Sequence, residues 1–555
     1  MESVKPNEKK QSFRDQADRL YTYIQTSDFY HELVHYPSIH VFLTVGFQHR
    51  RATVLHVNKT GLDETWKALV KQAEGFIHQA PDYLKADIVT HKKPVDILSF
   101  IDLITKTKKN YFRFGVSLDR GFRQAFLEQE INGNAMIQFD SGNKRGYLKE
   151  ANIQNYIKKH RPDMKLVNFR KVTNLYLFST KGFFMDGRHC YELKDTRLDN
   201  GRRDTGLNGD EIHELVTSGQ SYLTSLNQDN GKFIYGYFAC FDKEIHFYNM
   251  LRHASTVYSM IEAYEFSPTV EAENVIKRAL QFLKTAGVYF AEKQRAYVVD
   301  GPESKDKEIK LGANAAAILA FAKYTEVFGD DQYMELAQSL ARGMRFLQNE
   351  DGSFVHVLQY PTLKIKEKFR IVYYDGEAAL AFMRLYKLDQ DPQWLATVEK
   401  AFDYFIDHHY WKHHDHWLSY CTNDLTIYRP EEKYFEFGLK NTKDKLNFIE
   451  KRETTYPTFL ELTIAAYQML KRMKEQGYDH LLDSFDEEYL ESVIHKRAEY
   501  QRNGFFYPEL AIYFKNPARI TGSFFIRHHS FRTRIDDIEH YLSGYIAYYH
   551  TFLGC

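Results

Sequence analysis

The chain lacks an excess of charge of either sign and lacks any long apolar run. Its 555 residues contain 74 lysines and arginines against 74 aspartates and glutamates, and this balance removes the general electrostatic attraction to nucleic acid or to an anionic membrane surface. No stretch approaches the roughly 18 apolar residues of a spanning helix, and the charged first residues contain no apolar signal segment. We therefore expect no nucleic-acid partner, no membrane insertion and a cytoplasmic location.

Cysteine is scarce, and the common phosphate and zinc motifs are missing. Cys190, Cys240, Cys421 and Cys555 lie far apart, and none has a CxxC or Cys/His spacing typical of zinc. Neither GxGxxG nor GxxxxGK[ST] occurs, which argues against a nucleotide cofactor. The sequence predicts reduced thiols and no cofactor.

Aromatic residues are plentiful. Phe, Tyr and Trp make up 15% of the chain, with 40 tyrosines and 42 phenylalanines. These rings can fill interfaces between helices, or part of the tyrosine can line a polar cleft and stack on a ligand. Composition leaves both explanations open.

The first 200 residues mix strand and helix patterns. Segments 38–46 and 52–58 are rich in β-formers and are joined by a turn, while 63–79 has apolar residues at helical spacing. This pattern predicts an α+β domain with a mixed sheet over residues 1–200. The stretch 195–210 is rich in Gly, Asn, Asp and Arg and is the predicted linker.

Beyond Glu211 strands nearly vanish and amphipathic helices recur. The spacing predicts helices over 211–227, 250–265, 270–293, 311–328, 331–348, 374–388, 392–410, 456–475, 485–502 and 536–552. Every second helix begins at Met250, Leu311, Asp375 and Tyr456, which are 61, 64 and 81 residues apart. Such a period indicates repeated helical hairpins. Five hairpins are visible, and one missed pair would make six.

The repeat is also visible in the residues themselves. Segments 223–233 (LTSLNQDNGKF) and 346–354 (FLQNEDGSF) both end a helix with Gln, a polar turn, Gly, one residue and Phe. Gly at such a position ends a helix in the left-handed conformation, and the Phe folds back onto the bundle. The long, unequal insertions 352–373 and 411–455 favour a closed ring over an open solenoid, with the functional site built by loops at one rim.

With these features, residues 211–555 resemble the six-hairpin toroids of carbohydrate-active enzymes. These include unsaturated-glycuronyl hydrolases, sugar 2-epimerases, and the helical domains of polysaccharide lyases and uronyl epimerases. The resemblance rests on the hairpin period, the Gly-x-Phe helix ends and the aromatic, His-bearing helix starts. It implies an (α/α)6-like toroid domain over 211–555 and a saccharide substrate. It is a resemblance of architecture and carries over no catalytic residue.

Four polar clusters stand where a helix begins after a loop, which is the rim of a toroid. Their candidate residues are Asn249, Arg252 and His253 in the first cluster, Tyr374, Asp375 and Glu377 in the second, Glu453 in the third, and Arg532, Arg534, Asp536 and His540 in the fourth. We predict catalytic roles for Asp375, Glu377, Glu453, Asp536 and His540, and substrate binding by the others.

The first cluster is unusual because cations are disfavoured at the start of a helix. Arg252 and His253 therefore either clamp an anion or a sugar carboxylate, or pair with a neighbouring acidic side chain. In the second cluster Asp375 and Glu377 are ordinary helix-start acids, or they form a general acid beside tyrosine faces. In the third cluster Glu453 is a solvated loop acid or a ligand contact.

The fourth cluster is the densest. Asp536 and His540 are spaced i,i+4, so they face one side of a helix, and the carboxylate could orient the imidazole and raise its pKa. Arg532 and Arg534 could bind a carboxylate or phosphate in a bidentate manner. The alternative is an ordinary surface pair.

A fifth segment, His408–His416, contains five histidines in nine residues. Imidazole is a ligand for zinc, copper and nickel, but the spacing HHxxxHHxH matches no recognised site. We interpret the segment as adventitious and predict no metal site.

The leading hypothesis is an enzyme that acts on an acidic or phosphorylated saccharide by cofactor-independent general acid/base chemistry. Hydrolysis by the carboxylates is favoured over epimerisation or elimination, for which His253 and His540 would move the proton. The alternative is a non-catalytic glycan-binding or scaffold protein of surface-polymer biosynthesis. The sequence does not indicate an oligomeric state.

Overall fold

The computed structural model describes residues 6–77, 79–195, 198–301 and 306–554, and the chain forms two compact units. The first unit contains Met1–Thr205, Tyr237–Lys243 and Asn503–Thr533, and the second contains Gly206–Gly236, Glu244–Arg502 and Arg534–Cys555. Two segments inside the predicted toroid range, 237–243 and 503–533, thus group with the first unit.

The first unit is built on a seven-stranded sheet. Its strands are β1 (Ile39–Gly46), β2 (Thr53–Lys59), β3 (Tyr83–Asp96), β4 (Gly115–Ser117), β5 (Ala125–Phe126), β6 (Asn174–Met185) and β7 (Cys190–Glu192). The order is β2-β1-β3-β6-β4-β5, with β7 paired to β6. All the described pairings in this sheet are antiparallel, so the predicted mixed sheet is wrong. The residue pattern reveals strands but not their directions, which long-range pairing decides.

Helices cover the sheet of the first unit. They are Pro6–Gln25, Asp28–Glu32, Leu62–Glu74, Ile97–Lys106, Glu128–Gly133 and Glu150–His160, with short helices Pro508–Ala511 and Pro517–Ile520. Strand β1 is buried along its whole length, and its apolar side chains pack with those of the first and third helices in one core. Burial of this apolar surface stabilises the unit.

The second unit is a closed ring of six helical hairpins. Its helices are α1 (Gly209–Leu226), α2 (Met250–Phe266), α3 (Val270–Phe282), α4 (Leu311–Phe328), α5 (Met334–Arg345), α6 (Tyr373–Asp389), α7 (Pro392–Asp407), α8 (His416–Tyr428), α9 (Glu432–Lys443), α10 (Thr458–Glu475), α11 (Glu487–Gln501) and α12 (Ile535–Phe552), with a short helix Leu446–Lys451 between α9 and α10. Each even-numbered helix packs on the next, and α12 packs on α2, which closes the ring. The odd-numbered helices pack outside. The predicted toroid of five or six hairpins is therefore confirmed, with six.

The inner and outer helices differ in the way their sequences predict. In α4 the residues 311–322 are all buried, and this helix is apolar on every side, as expected for a helix enclosed by others. In α5 the buried residues Leu336, Leu340 and Met344 recur at helical spacing on one face. The sequence pattern thus separates the two layers of the ring.

The glycines of the two Gly-x-Phe motifs have the predicted positive φ, but they lie in the turns after the helices, which end at Leu226 and Arg345. Gly231 has φ +87° and Gly352 has φ +96°, and the Phe two residues after each glycine is buried. A Cβ on Gly231 would lie 2.4 Å from the carbonyl oxygen of Arg278 on α3, and one on Gly352 would lie 2.2 Å from that of Lys400 on α7. Each turn therefore docks on the backbone of the following outer helix.

Short strands also occur in the second unit, where the sequence analysis expected almost none. They are Val288–Glu292, Arg295–Asp300, Glu308–Lys310, Val357–Gln359 and Ile365–Glu367, and they form an antiparallel sheet. The predicted helix 270–293 consequently ends at Phe282 and is followed by a π turn and the first of these strands. Residues Val288, Tyr289 and Phe290 favour strand over helix.

Three of the four cysteines lie among the described residues, and their thiols are reduced as expected. Cys190, Cys240 and Cys421 have free thiols, whereas Cys555 lies outside the described residues, as do residues 196 and 197 of the predicted linker. No helix within the described ranges is long and apolar enough to cross a membrane.

Candidate active site

The first turns of the inner helices meet at one rim of the ring. Arg252 near the start of α2 lies 3.3 Å (Nε to Oδ2) from Asp536 at the start of α12. His540, one turn further along α12, lies 3.0 Å (Nδ1 to Oε2) from Glu461 on α10. A Cβ on Gly376 of α6 would lie 2.3 Å from the carboxylate of Asp415, which caps α8. Polar side chains from these helix starts therefore share one space.

Two imidazoles face each other in this space. The rings of His416 and His540 have centroids 5.2 Å apart and planes at 80°. Each has a carboxyl group beside one nitrogen: His416 Nδ1 is 3.4 Å from Asp415 Oδ1, and His540 Nε2 is 3.5 Å from Glu539 Oε1. The remaining nitrogen of His540 is the one near Glu461, and His416 Nε2 is buried without a hydrogen-bond partner among the described residues.

The two carboxyl groups beside His540 are held in unusual surroundings. Burial, reinforced by the charge of Glu262, raises the pKa of Glu461 to about 8 against the opposing effect of His416. Burial also raises the pKa of Glu539 to about 8. Glu461 Oε2 approaches His540 closely but outside hydrogen-bond alignment, and Tyr420 donates to the other oxygen at 3.4 Å. Both acids therefore hold protons at neutral pH and can donate them.

The predicted Asp536–His540 pair does not form. Asp536 Oδ2 instead forms ion pairs with Arg252 Nε and Arg534 Nη2, at 3.3 and 3.0 Å. The predicted rise in the pKa of His540 is also wrong, because burial lowers it more than Glu539 raises it. The i,i+4 spacing along α12 is compatible with an Asp536–His540 pair, but the Asp536 carboxylate pairs with the two arginines instead.

The first predicted cluster divides between the rim and the helix interior. Arg252 keeps 35% of its side chain exposed beside Asp536. Asn249 caps α2, since its side-chain oxygen accepts from the Arg252 backbone N–H at 2.8 Å. His253 is fully buried and bonds the Tyr248 hydroxyl and the Ala279 carbonyl at 2.6 and 2.9 Å. Arg252 therefore faces the site, whereas His253 ties α2 to α3.

The second cluster also has members of both kinds. Asp375 is 1% exposed, and its Oδ2 lies 3.1 Å from His356 Nε2, which makes it a buried structural pair. Glu377 is buried, and its Oε2 has no hydrogen-bond partner among the described residues. Burial raises the pKa of Glu377 to about 8. Gly312 of α4 leaves room for this carboxyl and for Tyr374, because a Cβ there would lie 2.1 and 2.6 Å from them.

The remaining predicted residues lie around these groups or apart from them. Glu453 is exposed in the loop before α10. Arg534 lies 2.7 Å from Asp537 and 3.0 Å from Asp536. Arg532 belongs to the first unit. Arg252, Glu377, Arg534, Asp536 and His540 are thus the predicted residues that the second unit places at the rim.

Sequence reasoning assigned no role to His416, Glu461 and Glu539. His416 ends the histidine-rich segment, and only the capping Asp415, which accepts from the backbone of Trp417 at 3.1 Å, marks it as a helix start. His408, His409 and His413 are exposed, and the His414 ring bonds the Asn441 carbonyl at 2.8 Å. The five histidines therefore do not form one cluster, and His416 lies beside His540 at the rim.

Aromatic and hydroxyl side chains line a small cavity beside the pair. Trp417 lies 4.8 Å from His416 and 6.1 Å from His540 between ring centroids. The cavity is lined by Ser255, Tyr258, Ser259, Glu262, Trp417, Tyr420, Glu461, Glu539, His540 and Ser543. Part of the tyrosine content therefore does line a polar cleft, as one of the two sequence interpretations held.

The carboxyl group of Glu377 predicts a measurable dependence of stability on pH. Its folded pKa of about 8 exceeds the ordinary 4.5, so the native state keeps a proton that the unfolded state releases between these values. Its stabilising effect is complete below about pH 4.5 and is lost as pH rises through 8. We expect the unfolding free energy of the wild type to fall by roughly 4 kcal/mol on this account between pH 5 and pH 9, and Glu377→Gln to remove that fall. Denaturant unfolding of both proteins from pH 5 to 9 measures it.

The control for this experiment is Glu453→Gln, which changes an exposed carboxyl group. It should leave the difference between pH 5 and pH 9 as in the wild type. Parallel pH curves for Glu377→Gln and the wild type would contradict a buried, protonated Glu377.

Comparisons with known proteins give a likeness of architecture. No protein-family model and no curated protein matches the sequence. Among solved structures, the chain is similar to a sugar epimerase from a ruminal bacterium at 16% identity, over 54% of this chain and 87% of that one, with a TM-score of 0.44. It is similar to a D-mannose isomerase at 10% identity, over 61% of this chain and 98% of that one, with a TM-score of 0.48. It is also similar to an unsaturated glucuronyl hydrolase specific for heparin at 10% identity, over 62% of this chain and 98% of that one, with a TM-score of 0.43.

Sugar epimerases and unsaturated glycuronyl hydrolases are among the enzymes that the sequence was predicted to resemble, and both kinds occur among these similar structures. The three identities are below 25% and the three TM-scores are below 0.5. The chemistry of this chain must therefore be argued from its own residues.

Proposed function

We propose that the protein is a carbohydrate-active enzyme that moves a proton at the carbon next to a sugar carbonyl, as an epimerase or an aldose–ketose isomerase. The observation that carries the proposal is the facing pair His416 and His540, with ring centroids 5.2 Å apart. Two imidazoles that share one space can both reach a single carbon atom, and histidine is the most common general acid/base.

The reaction follows from two proton positions. One imidazole takes the proton from the carbon beside the carbonyl, and the electron pair of the broken C–H bond forms a C=C bond while the carbonyl oxygen becomes an enediolate oxygen. The other imidazole inverts this carbon when it returns a proton to the face opposite the one that lost it. Return of a proton to the former carbonyl carbon gives the isomeric sugar, because the C2 hydroxyl proton moves to O1 and C2 becomes the new carbonyl carbon.

Other groups at the rim suit the oxygen atoms of this intermediate. Arg252 is partly exposed beside the pair and carries a positive charge that can stabilise a developing oxyanion. The protonated carboxyl of Glu539 is a second donor, next to His540. Asp415 and Glu539 orient the two rings. Each partner therefore has a role in binding, orientation or proton transfer.

Hydrolysis, favoured by the sequence, is the second candidate. Glu377 supports it, because a carboxyl group with a pKa of about 8 can protonate a glycosidic oxygen. The partners predicted for it do not join it, since Asp375 pairs with His356 and Glu453 is exposed in a loop. Proton transfer by the histidine pair therefore accounts for more of the site.

The test is incubation of the protein in D2O with a panel of neutral, acidic and phosphorylated aldoses, monitored by NMR. We expect deuterium at C2 of at least one sugar, together with its epimer or ketose. Heat-denatured protein is the control. Release of reducing ends from oligosaccharides without C2 exchange would favour hydrolysis, and sugar binding without either reaction would favour the non-catalytic alternative.

A further inference from the structure

Three inner helices present metal-ligating atoms to one point. His416 of α8, Glu461 of α10 and His540 of α12 each offer one ligand atom, and these atoms lie within 4.8 Å of one another. His416 is 6% and Glu461 2% exposed, and 14% of the His540 side chain is exposed. Bonds of 2.0–2.2 Å to a common ion would require the three groups to close by only about 1 Å.

Two atoms of this group lack an aligned hydrogen bond, although one of them, Glu461 Oε2, lies 3.0 Å from His540 Nδ1. His416 Nε2 and Glu461 Oε2 are buried without a hydrogen bond among the described residues. An unsatisfied buried polar atom costs about 1–3 kcal/mol. Two such atoms, from different helices and on the same group, indicate that a further species completes the site.

The other nitrogen of each imidazole is arranged as in a metal site. His416 Nδ1 faces Asp415 at 3.4 Å, and His540 Nε2 faces Glu539 at 3.5 Å. Metal-binding histidines almost always direct their second nitrogen to a carboxylate, a carbonyl or water, which fixes the tautomer and the orientation of the ring. This leaves His416 Nε2 and His540 Nδ1 for the ion.

Several carboxyl groups adjoin these three residues. Carboxyl groups of Glu262, Glu461 and Glu539 line the adjoining cavity, and that of Asp415 adjoins His416. The charge of Arg252 also acts on His540 and Glu539. Metal ligands bind in their deprotonated form, so an ion would displace any proton on Glu461, and the resulting carboxylate would neutralise part of the ion's charge.

We propose that His416, Glu461 and His540 bind a divalent transition-metal ion, for which zinc is the best match. Two imidazoles and one carboxylate suit zinc and leave a coordination position open for water, whereas magnesium and calcium prefer oxygen ligands. Binding rests on this geometry alone. A bound ion would occupy the nitrogens that move the proton, so zinc would inhibit the proposed reaction. The expected inhibition, unlike the binding, rests on the proposed function.

The binding test uses full-length protein freed of metal with a chelator. Calorimetric titration with Zn2+ and visible spectroscopy with Co2+ should reveal one tight site. Glu461→Gln and His540→Gln should each weaken it by about a hundredfold or more, since even the outer partners of metal ligands contribute 10- to 100-fold. Melting curves check that both variants fold.

The control is the double variant His409→Asn, His413→Gln, which removes exposed imidazoles of the histidine-rich segment. It should keep the tight site. Loss of that site in the control, or its survival in both Glu461→Gln and His540→Gln, would overturn the proposal and assign binding to the surface histidines.

Inhibition is measured separately. Zinc should stop C2 deuterium exchange at one equivalent, and a chelator should restore it. Zinc binding in a protein that never exchanges C2 protons would leave the metal site standing and remove the proposed function. C2 proton exchange in a protein with no tight zinc site would support the proposed function and overturn the metal site.

Discussion

His540→Gln should reduce C2 proton exchange by roughly a hundredfold or more, the usual scale of general acid/base assistance, and His416→Gln should do the same. Gln retains much of the volume and polarity of His but cannot accept a proton in the reaction. Because Gln has a similar volume and remains polar, we expect the melting temperature to change little. Exchange rates and melting curves should be measured on the same preparation.

The control is His213→Gln, which removes an exposed imidazole on the outer helix α1. Its exchange rate should equal that of the wild type. Unaltered exchange in folded His540→Gln would exclude the imidazole pair, and a fall in stability with activity per folded molecule retained would assign His540 a structural role.

Gly352→Ala should cost about 3 kcal/mol or more of unfolding free energy, since backbone strain and steric overlap add together. The residue has φ +96°, which an L side chain rarely adopts, and its Cβ would lie 2.2 Å from the carbonyl oxygen of Lys400. That oxygen belongs to the backbone of α7, so relief requires the turn and the helix to separate. Denaturant unfolding measures the loss.

Gly329→Ala is the matched control, because Gly329 also has a left-handed backbone, with φ +63°, but a Cβ there would meet nothing within 4 Å. Its cost should be limited to the conformational penalty of about 1–2 kcal/mol. Equal losses in the two variants would show that the contact with α7 contributes nothing.

The helix pattern was predictable wherever one segment carried its own signals. Helix α4 has the predicted bounds, Leu311–Phe328, because an apolar run ends at the left-handed Gly329. Helices α8 and α9 were missed because the segment 411–455 mixes imidazoles, indoles and charges, so no apolar period stands out. The packing of the neighbouring helices, rather than local propensity, determines that pair.

The candidate site was predictable in its position but not in its pairings. Helix starts at a rim identified Arg252, Asp536 and His540, but α2 meets α12 only because the ring closes. His540 has its partner Glu461 on another helix, 79 positions earlier by residue number. Spacing within one helix predicts i,i+4 neighbours and gives no information on such contacts.

The meeting of the inner helix starts has an electrostatic consequence. The start of a helix carries about half a positive elementary charge from its aligned peptide dipoles, and the first turns of all six inner helices adjoin this rim. Such an arrangement favours negative charge without any cationic side chain. It lowers the energy of an enediolate oxygen or of a sugar carboxylate or phosphate there, and it disfavours the ammonium group of an amino sugar.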